Sequence, residues 1–186
     1  MKIIVAITGA SGAIYARRTL EQLLASEQVE RIALILSDTA QQVIEHEGEV
    51  LPTSERIELY DNHEMFSSVA SGSAAWDAMI IVPASMGSVG RIAAGVSQTL
   101  IERAADVMLK ERRRLIIVPR ETPYWLIHLR NMTTLTEAGA IVLPASPSFY
   151  SHPKTINQAV DTVVERIIAH TGIDSAHYEF SGHEGK

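Results

Sequence analysis

The stretch Thr8-Gly-Ala-Ser-Gly-Ala-Ile-Tyr15 follows the apolar run Ile3–Ile7 and precedes an amphipathic segment. A short buried strand, a turn of small residues and a helix start, in that order, are typical of the first unit of an α/β sheet. Glycine lets the backbone approach a ligand closely, and the first N–H groups of the helix favour a phosphate. The alternative is a plain strand-to-helix turn in which Ser11 caps the helix. The position of the stretch at the start of an α/β chain favours the phosphate.

The composition indicates an ordinary water-soluble protein of 186 residues, enough for one α/β domain. A net charge of -6 argues against nonspecific binding to nucleic acid or to anionic membranes. The absence of cysteine excludes disulfides, thiolate metal sites and cysteine nucleophiles. No apolar run is long enough to span a bilayer, and Met1-Lys2 leads straight into the first strand. We therefore expect a cytoplasmic protein without a secretory signal.

The rest of the chain alternates apolar strands with amphipathic helices. Predicted strands after the first are Arg31–Leu36, Glu58–Tyr60, Trp76–Val82, Leu115–Val118 and Ala140–Pro144. Predicted helices run from residue 13 to about 26, 40 to about 47, 98 to 112, 124 to about 135, and through the stripe Ile156–Ile167. This alternation with short connections predicts one doubly wound, parallel, Rossmann-like sheet over residues 1–173. A polar tail, 174–186, follows it.

Polar side chains follow several of these strands where they end. Ser37 comes after the strand Arg31–Leu36, although an ordinary helix cap explains it equally simply, and the small-residue segment Pro83–Ser88 follows the strand Trp76–Val82. Arg120 and Glu121 follow the strand Leu115–Val118; they could bind phosphate and move a proton, or form a self-contained surface ion pair. Ligands of parallel α/β sheets bind outside the carboxyl ends of the strands. Because the dinucleotide fingerprint is incomplete, a mononucleotide or flavin phosphate fits better than NAD.

One predicted helix carries charges on a single face. Arg103, Asp106 and Lys110 are spaced at i, i+3 and i+7. By itself this pattern indicates a solvated face on which Asp106 bridges the two cations. His128, on the next helix, is interpreted as a packed or capping histidine rather than as a catalyst.

Several motifs occur together, among them Arg-Ala-Ala-Asp from Arg103 and Pro-Arg-Glu-Thr-Pro from Pro119. The others are Thr8–Tyr15, Ser71-Gly-Ser73, Pro83-Ala-Ser85, Ile127-His-Leu129, Asn131-Met132 and Phe149-Tyr150. In this combination the chain resembles the UbiX-type flavin prenyltransferases, formerly called aromatic acid decarboxylases, from Lys2 to about Ile173. The resemblance implies a three-layer αβα flavoprotein fold and a homo-oligomer, commonly a dodecamer.

The same resemblance implies an activity. The family joins the dimethylallyl group of dimethylallyl monophosphate to reduced FMN, at N5 and at C6, without a metal. The product, prenylated FMN, serves a UbiD-type decarboxylase as partner. Arginine, lysine and tyrosine suit this chemistry because departure of an allylic phosphate builds negative charge on oxygen.

Site residues carried over from the resemblance fall into three groups. The FMN-binding group is Gly9, Ala10, Ser11, Ser37, Ser85, Met86, Gly87, Ser88 and Arg120. The group that holds dimethylallyl phosphate is Arg103, Lys110, Tyr150 and Arg166. The catalytic group is Glu121, Glu47 and Ser11, in which a glutamate takes or relays the proton lost from the flavin. The chain departs from the family at Ala84, usually Cys, at Gly87, often Lys, and in a tail that lacks the usual Arg-Trp.

Three alternatives belong to other classes. A decarboxylase of the phosphopantothenoylcysteine type usually needs a cysteine and an early histidine, whereas the first histidine here is His46. A short-chain dehydrogenase would use the Tyr150 and Lys154 spacing, but Pro153 prevents one uninterrupted helical face. A non-catalytic, flavin-binding accessory subunit would not need a second phosphate pocket, so the retained cations favour catalysis.

Overall fold

The computed structural model describes residues 1–174, which form six strands and six α-helices around one sheet. The strands are β1 Lys2–Ile7, β2 Arg31–Leu36, β3 Ile57–Tyr60, β4 Ala78–Ala84, β5 Arg114–Pro119 and β6 Ile141–Val142. The helices are α1 Ala13–Ala25, α2 Ala40–His46, α3 Met86–Ala93, α4 Leu100–Lys110, α5 Leu126–Glu137 and α6 Ile156–Thr171.

Every strand pair in the sheet is parallel, and the strand order is β3-β2-β1-β4-β5-β6. The prediction of one doubly wound parallel sheet is confirmed. Since parallel strands end at the same edge, the segments that follow β1, β2, β4 and β5 converge there. The order reverses between β1 and β4, which is where ligands of this architecture bind.

Helices cover both faces of the sheet. Ile3 and Val5 pack toward the side that carries α1, α2 and α6, whereas Ile4 and Ala6 pack toward α3, α4 and α5. This alternation follows from the two-residue repeat of a strand. It makes β1 apolar on both faces, as expected for a central strand of a parallel sheet.

The structure differs from the predicted elements in three places. Helix α3 was not predicted; β4 covers Ala78–Ala84 rather than Trp76–Val82; and β6 has only two residues. Trp76 lies buried just before β4, with the Arg31 guanidinium 5.9 Å from its ring. The predicted tail lies outside the described residues except for Asp174, whose N–H donates to Gln28 Oε1 at 3.0 Å. Across residues 1–174, no helix combines the length and apolarity needed to cross a bilayer.

Candidate active site

A polar cleft of about 300 Å³ opens at the carboxyl edge, between the ends of β1, β2 and β4. Its lining includes Gly9, Ser37, Thr39, Ser85, Ser88 and Arg91. The polar residues that follow β1, β2 and β4 therefore lie close together, as predicted. Hydroxyl and backbone N–H groups dominate this part of the lining, and such groups suit an anion such as a phosphate.

Buried Thr8 ties the end of β1 to the end of β4. Its hydroxyl donates to the carbonyl of Pro83 at 2.8 Å and accepts from the N–H of Ser85 at 2.7 Å. Ser85 in turn is the N-cap of α3, where its hydroxyl accepts from the N–H of Ser88 at 3.3 Å. The two serine hydroxyls are 3.1 Å apart. These hydrogen bonds fix the cleft wall where the strand order reverses, between β1 and β4.

The end of β2 lies against the turn after β1. A Cβ on Gly9 would collide with the side chain of Thr39, so a glycine is required for this close approach. The N–H of Ser37 donates to the Ile7 carbonyl at 2.9 Å, but its buried hydroxyl has no partner among residues 1–174. Thr39, not Ser37, is the N-cap of α2, and no side chain caps this helix. A buried hydroxyl without a partner is unusual and fits a ligand oxygen in the cleft.

Glu47 occupies the N-terminus of α1. Its carboxylate accepts from the N–H of Gly12 at 2.9 Å and from that of Ala13 at 2.7 Å. Partial burial raises the pKa of Glu47, but hydrogen bonds from the Ser11 hydroxyl and these two N–H groups outweigh burial and lower it. The prediction of a phosphate at these N–H groups is therefore wrong for this structure. The alternative of Ser11 as N-cap is also wrong, since Gly12 is the N-cap.

Arg120 lies beside the same turn after β1. Its Nε donates to the carbonyl of Ser11 at 3.0 Å, and its N–H donates to that of Ala84 at 3.2 Å. Its charge also contributes to the lowered pKa of Glu47. The surface ion pair considered for Arg120 and Glu121 is not formed, because Arg120 turns toward the β1 turn instead.

Glu121 lies in a second cleft of about 290 Å³, also lined by Arg120, Tyr124 and Ser146. One carboxylate oxygen of Glu121 accepts from the N–H of Thr122 at 2.9 Å. Burial raises the pKa of Tyr124, and the nearby charge of Glu121 adds to this effect. Two groups that can exchange a proton therefore border this cleft.

Arg103 and Lys110 share a face of α4, as predicted. Arg103 donates to the Ala70 carbonyl at 3.3 Å and pairs with Asp106 at 2.6 Å. Lys110 pairs with Glu111 rather than with Asp106, so Asp106 does not bridge the two cations. A Cβ on Gly72 would lie 3.1 Å from Lys110 Nζ, which puts both cations beside the Ser71-Gly-Ser73 loop.

One chain does not bring the predicted phosphate-holding residues together. Lys110 and Glu121 lie at opposite edges of the sheet, because β5 runs between them and a six-residue strand is roughly 20 Å long. Tyr150 is exposed in the loop after β6, and Arg166 is exposed on α6, on the other face of the sheet from α4. Their predicted role in holding one phosphate stays a prediction, and within a single chain these four side chains do not share a pocket.

Comparison with known proteins accounts for these features together. A family model described as Flavoprotein matches residues 1–170. The flavin prenyltransferase UbiX of Methanocaldococcus jannaschii is 46% identical over 183 residues, which are 95% of this chain and 96% of that protein. The chain belongs to the UbiX family of flavin prenyltransferases. Membership of this family makes it an enzyme, as predicted.

Two solved structures of UbiX type are similar over nearly all of the chain. One, in complex with FMN and dimethylallyl pyrophosphate, is 38% identical with a TM-score of 0.90 and covers 98% of each chain. The other is a dodecameric FMN-dependent UbiX-like decarboxylase from Escherichia coli O157:H7. It is 36% identical with a TM-score of 0.90 and covers 98% of this chain and 100% of that chain.

Sequence reasoning missed three residues at the edge of the first cleft in this UbiX-family chain. Glu102, 2% exposed, accepts from the N–H groups of Gln98 and Thr99 and pairs with Arg91. Asn62 accepts from the N–H of Ile101 at 3.2 Å. The capping box Thr99-Leu-Ile-Glu102 could have revealed Glu102, since its spacing is a helix-start signature. Asn62 and Arg91 have no comparable signal.

Proposed function

We propose that the protein transfers the dimethylallyl group of dimethylallyl monophosphate to reduced FMN, and that the prenylated FMN serves a UbiD-type decarboxylase. The observation that carries the proposal is the buried, unpartnered Ser37 hydroxyl in a hydroxyl-lined cleft. This cleft opens at the same sheet edge as the cleft of Glu121. Membership of a flavin prenyltransferase family supports the same assignment.

The first cleft fits the phosphate end of FMN. Ser37, Ser85 and Ser88 offer hydroxyls, and α3 directs its N-terminus toward the cleft. Arg120, which lines the second cleft and donates to the Ser11 carbonyl, would border the ring system. When bound, reduced FMN supplies the nucleophilic positions N5 and C6 to which the prenyl carbons become attached.

Glu121 is the proposed proton acceptor. It faces an open cleft, and within residues 1–174 its carboxylate accepts one hydrogen bond, from the N–H of Thr122. Glu47 has three backbone hydrogen-bond contacts and a lowered pKa, so it is ionised at neutral pH and holds the Ser11–Gly12 turn in shape. We assign Glu47 and Ser11 to orienting this turn beside the flavin and Glu121 to moving the proton.

The cations would stabilise the leaving phosphate. Positive groups that are already in place when the allylic C–O bond breaks lower the barrier without reorganising. Lys110 and Arg103 both lie beside the Ser71-Gly-Ser73 loop, but within a single chain β5 separates Lys110 from Glu121. We therefore propose that neighbouring copies bring Arg103, Lys110, Tyr150 and Arg166 to one pocket. The similarity to a dodecameric UbiX-like protein supports such an assembly.

The mass of the released flavin tests the activity. Purified protein is incubated anaerobically with reduced FMN and dimethylallyl monophosphate, and in parallel with the diphosphate. We expect a flavin heavier by one prenyl unit, and the more efficient donor identifies the substrate. Bound FMN of unchanged mass with both donors would contradict the proposal and favour an accessory subunit or a decarboxylase.

Two variants test the site assignment in the same assay. Glu121→Gln and Lys110→Ala should keep FMN bound but lose at least about a hundredfold in turnover, since each removes a group that acts at the reacting atoms. The exposed residues Glu137 and Lys154 provide matched controls. Glu137→Gln and Lys154→Ala should keep the wild-type rate. Wild-type rates in the first two variants would exclude those roles.

A further inference from the structure

Arg91 is the only cation among the described residues that line the first cleft. It lies on α3, one turn after Gly87, and half of its side chain is exposed. Ser85 and Ser88 line the same wall, and the unpartnered hydroxyl of Ser37 lies in the same cleft. The guanidinium therefore borders the space that suits a phosphate.

A buried carboxylate holds this guanidinium in place. Arg91 Nε donates to Glu102, and its Nη2 donates to the Ser88 hydroxyl at 3.3 Å. Glu102 is itself fixed by the N–H groups of Gln98, at 2.8 Å, and of Thr99, at 3.1 Å. An arginine oriented in this way loses little side-chain entropy when it binds a ligand.

The third guanidinium nitrogen remains available. Arg91 Nη1 lies 3.4 Å from the position that a Cβ on Gly87 would take, and it makes no hydrogen bond within residues 1–174. Because Gly87 has no side chain, the guanidinium can lie along the exposed surface of α3. Nη1 and the second hydrogen of Nη2 form a donor pair of the kind that binds phosphate oxygens.

The charge balance of the cleft requires such a group. Asp38 and Glu102 also contribute carboxylates to its lining. Asp38 contacts His63 at 2.9 Å, and Glu102 is surrounded by N–H donors and Arg91. Without Arg91, the described lining would have no positive charge to balance these two carboxylates and a phosphate dianion.

We propose that Arg91 binds the phosphate group of FMN and that Glu102 positions it for this contact. The inference rests on the proposed binding of FMN in this cleft. It assigns to Arg91 a role that Gly87 cannot fill, because Gly87 has no side chain. A lysine at position 87 would start one turn earlier on the same helix and reach the same space.

Comparison of FMN with riboflavin, which lacks the phosphate, separates this role from a structural one. Dissociation constants are measured from quenching of flavin fluorescence for the wild type, Arg91→Gln and Arg91→Ala. We expect FMN binding to weaken about tenfold to a hundredfold and riboflavin binding to change less than twofold. Arg112→Gln is the control, because Arg112 is exposed just after α4, at the opposite edge of the sheet, and should leave both constants unchanged.

A rescue variant keeps the test decisive if loss of Arg91 perturbs the fold. The double variant Gly87→Lys with Arg91→Gln should recover FMN affinity to within about threefold of the wild type. Equal weakening for both flavins without rescue, or no weakening for FMN, would overturn the role of Arg91. Failure of the wild type to bind FMN at all would overturn the proposed function as well.

Discussion

Glu47 delivers a negative charge to the N-terminus of α1, where its carboxylate accepts hydrogen bonds from Gly12 and Ala13. The Ser11 hydroxyl and the charge of Arg120 act on the same carboxylate. A helix N-terminus attracts any anion, and a carboxylate of the same chain has a large advantage in effective concentration. At the scale of single residues, this internal anion shapes the turn on which the flavin is proposed to rest.

Loss of this charge should destabilise the protein in a pH-dependent way. We expect Glu47→Gln to lower the free energy of unfolding by about 1 kcal/mol at pH 7, as for loss of a helix cap. The pKa of Glu47 is lowered in the folded state, so its contribution is fully present above the unfolded pKa of about 4.3. The difference between variant and wild type should shrink as the pH falls below that value. Urea denaturation at pH 7 and near pH 3 measures both quantities.

The control for this experiment comes from the helix that ends just before Glu47. Glu45 is exposed on α2, and its recorded side-chain contact is with Gln41 at 2.9 Å. Glu45→Gln should change stability by less than about 0.5 kcal/mol at either pH. A pH-independent loss in Glu47→Gln would mean that shape rather than charge matters at this position.

Helix α4 links the structural elements around the first cleft. Its N-terminus is closed by the Thr99 and Glu102 capping box and by Asn62, whose carbonyl accepts from the N–H of Leu100 at 2.7 Å. Glu102 extends this arrangement to Arg91 on α3. At the scale of elements, the start of α4 therefore sets the position of the cation that we assign to the phosphate.

Removal of the cap hydroxyl tests this arrangement. Thr99→Ala should lower the free energy of unfolding by about 1 kcal/mol, because the N–H of Glu102 loses its acceptor. Thr136→Ala on α5 is the matched control, since its exposed hydroxyl only donates back to the Met132 carbonyl. Thermal unfolding of the two variants measures the contrast. An equal loss in both would show that the capping box contributes nothing specific.

The elements that sequence predicted well are those with one dominant signal. Strands β1, β2 and β5 are apolar after a basic first residue, and α4 has a clear apolar stripe. Helix α3 was missed because Gly87 and Gly90 lie in an eight-residue segment, and glycine is a poor helix former. The end of β4 was misplaced because Pro83 suggested a strand end, whereas its carbonyl still pairs with Thr8.

A single chain leaves a group of large apolar side chains exposed to solvent. Trp125, Leu126, Ile127 and Leu129 are all at least 40% exposed at the start of α5, and Leu135 is the one buried residue of that helix. A patch of this kind usually marks an interface. It agrees with the proposed homo-oligomer, in which copies of the chain cover each other's apolar surfaces.

Some contacts of the candidate site could be predicted from the sequence, and others could not. Gly9, Ser37 and Ser85 were expected to meet because each follows a parallel strand, and they do. Glu47 reaches α1 from 35 residues away, and no local pattern predicts that contact. Arg103 and Lys110 were placed on one face by helical spacing, but spacing within a chain says nothing about which copy they serve.

Complementation between two inactive variants tests most directly the proposal that neighbouring copies build one active site. Chains with Lys110→Ala and chains with Glu121→Gln carry different tags, are co-expressed and are purified through both tags in sequence. The mass of the flavin is then measured after anaerobic incubation with reduced FMN and dimethylallyl monophosphate. We predict prenylated flavin from the mixed oligomer and none from either variant alone, because some sites combine an intact Lys110 with an intact Glu121. Mixed oligomers that bind FMN but form no prenylated flavin, while tagged wild-type oligomers do, would contradict the account.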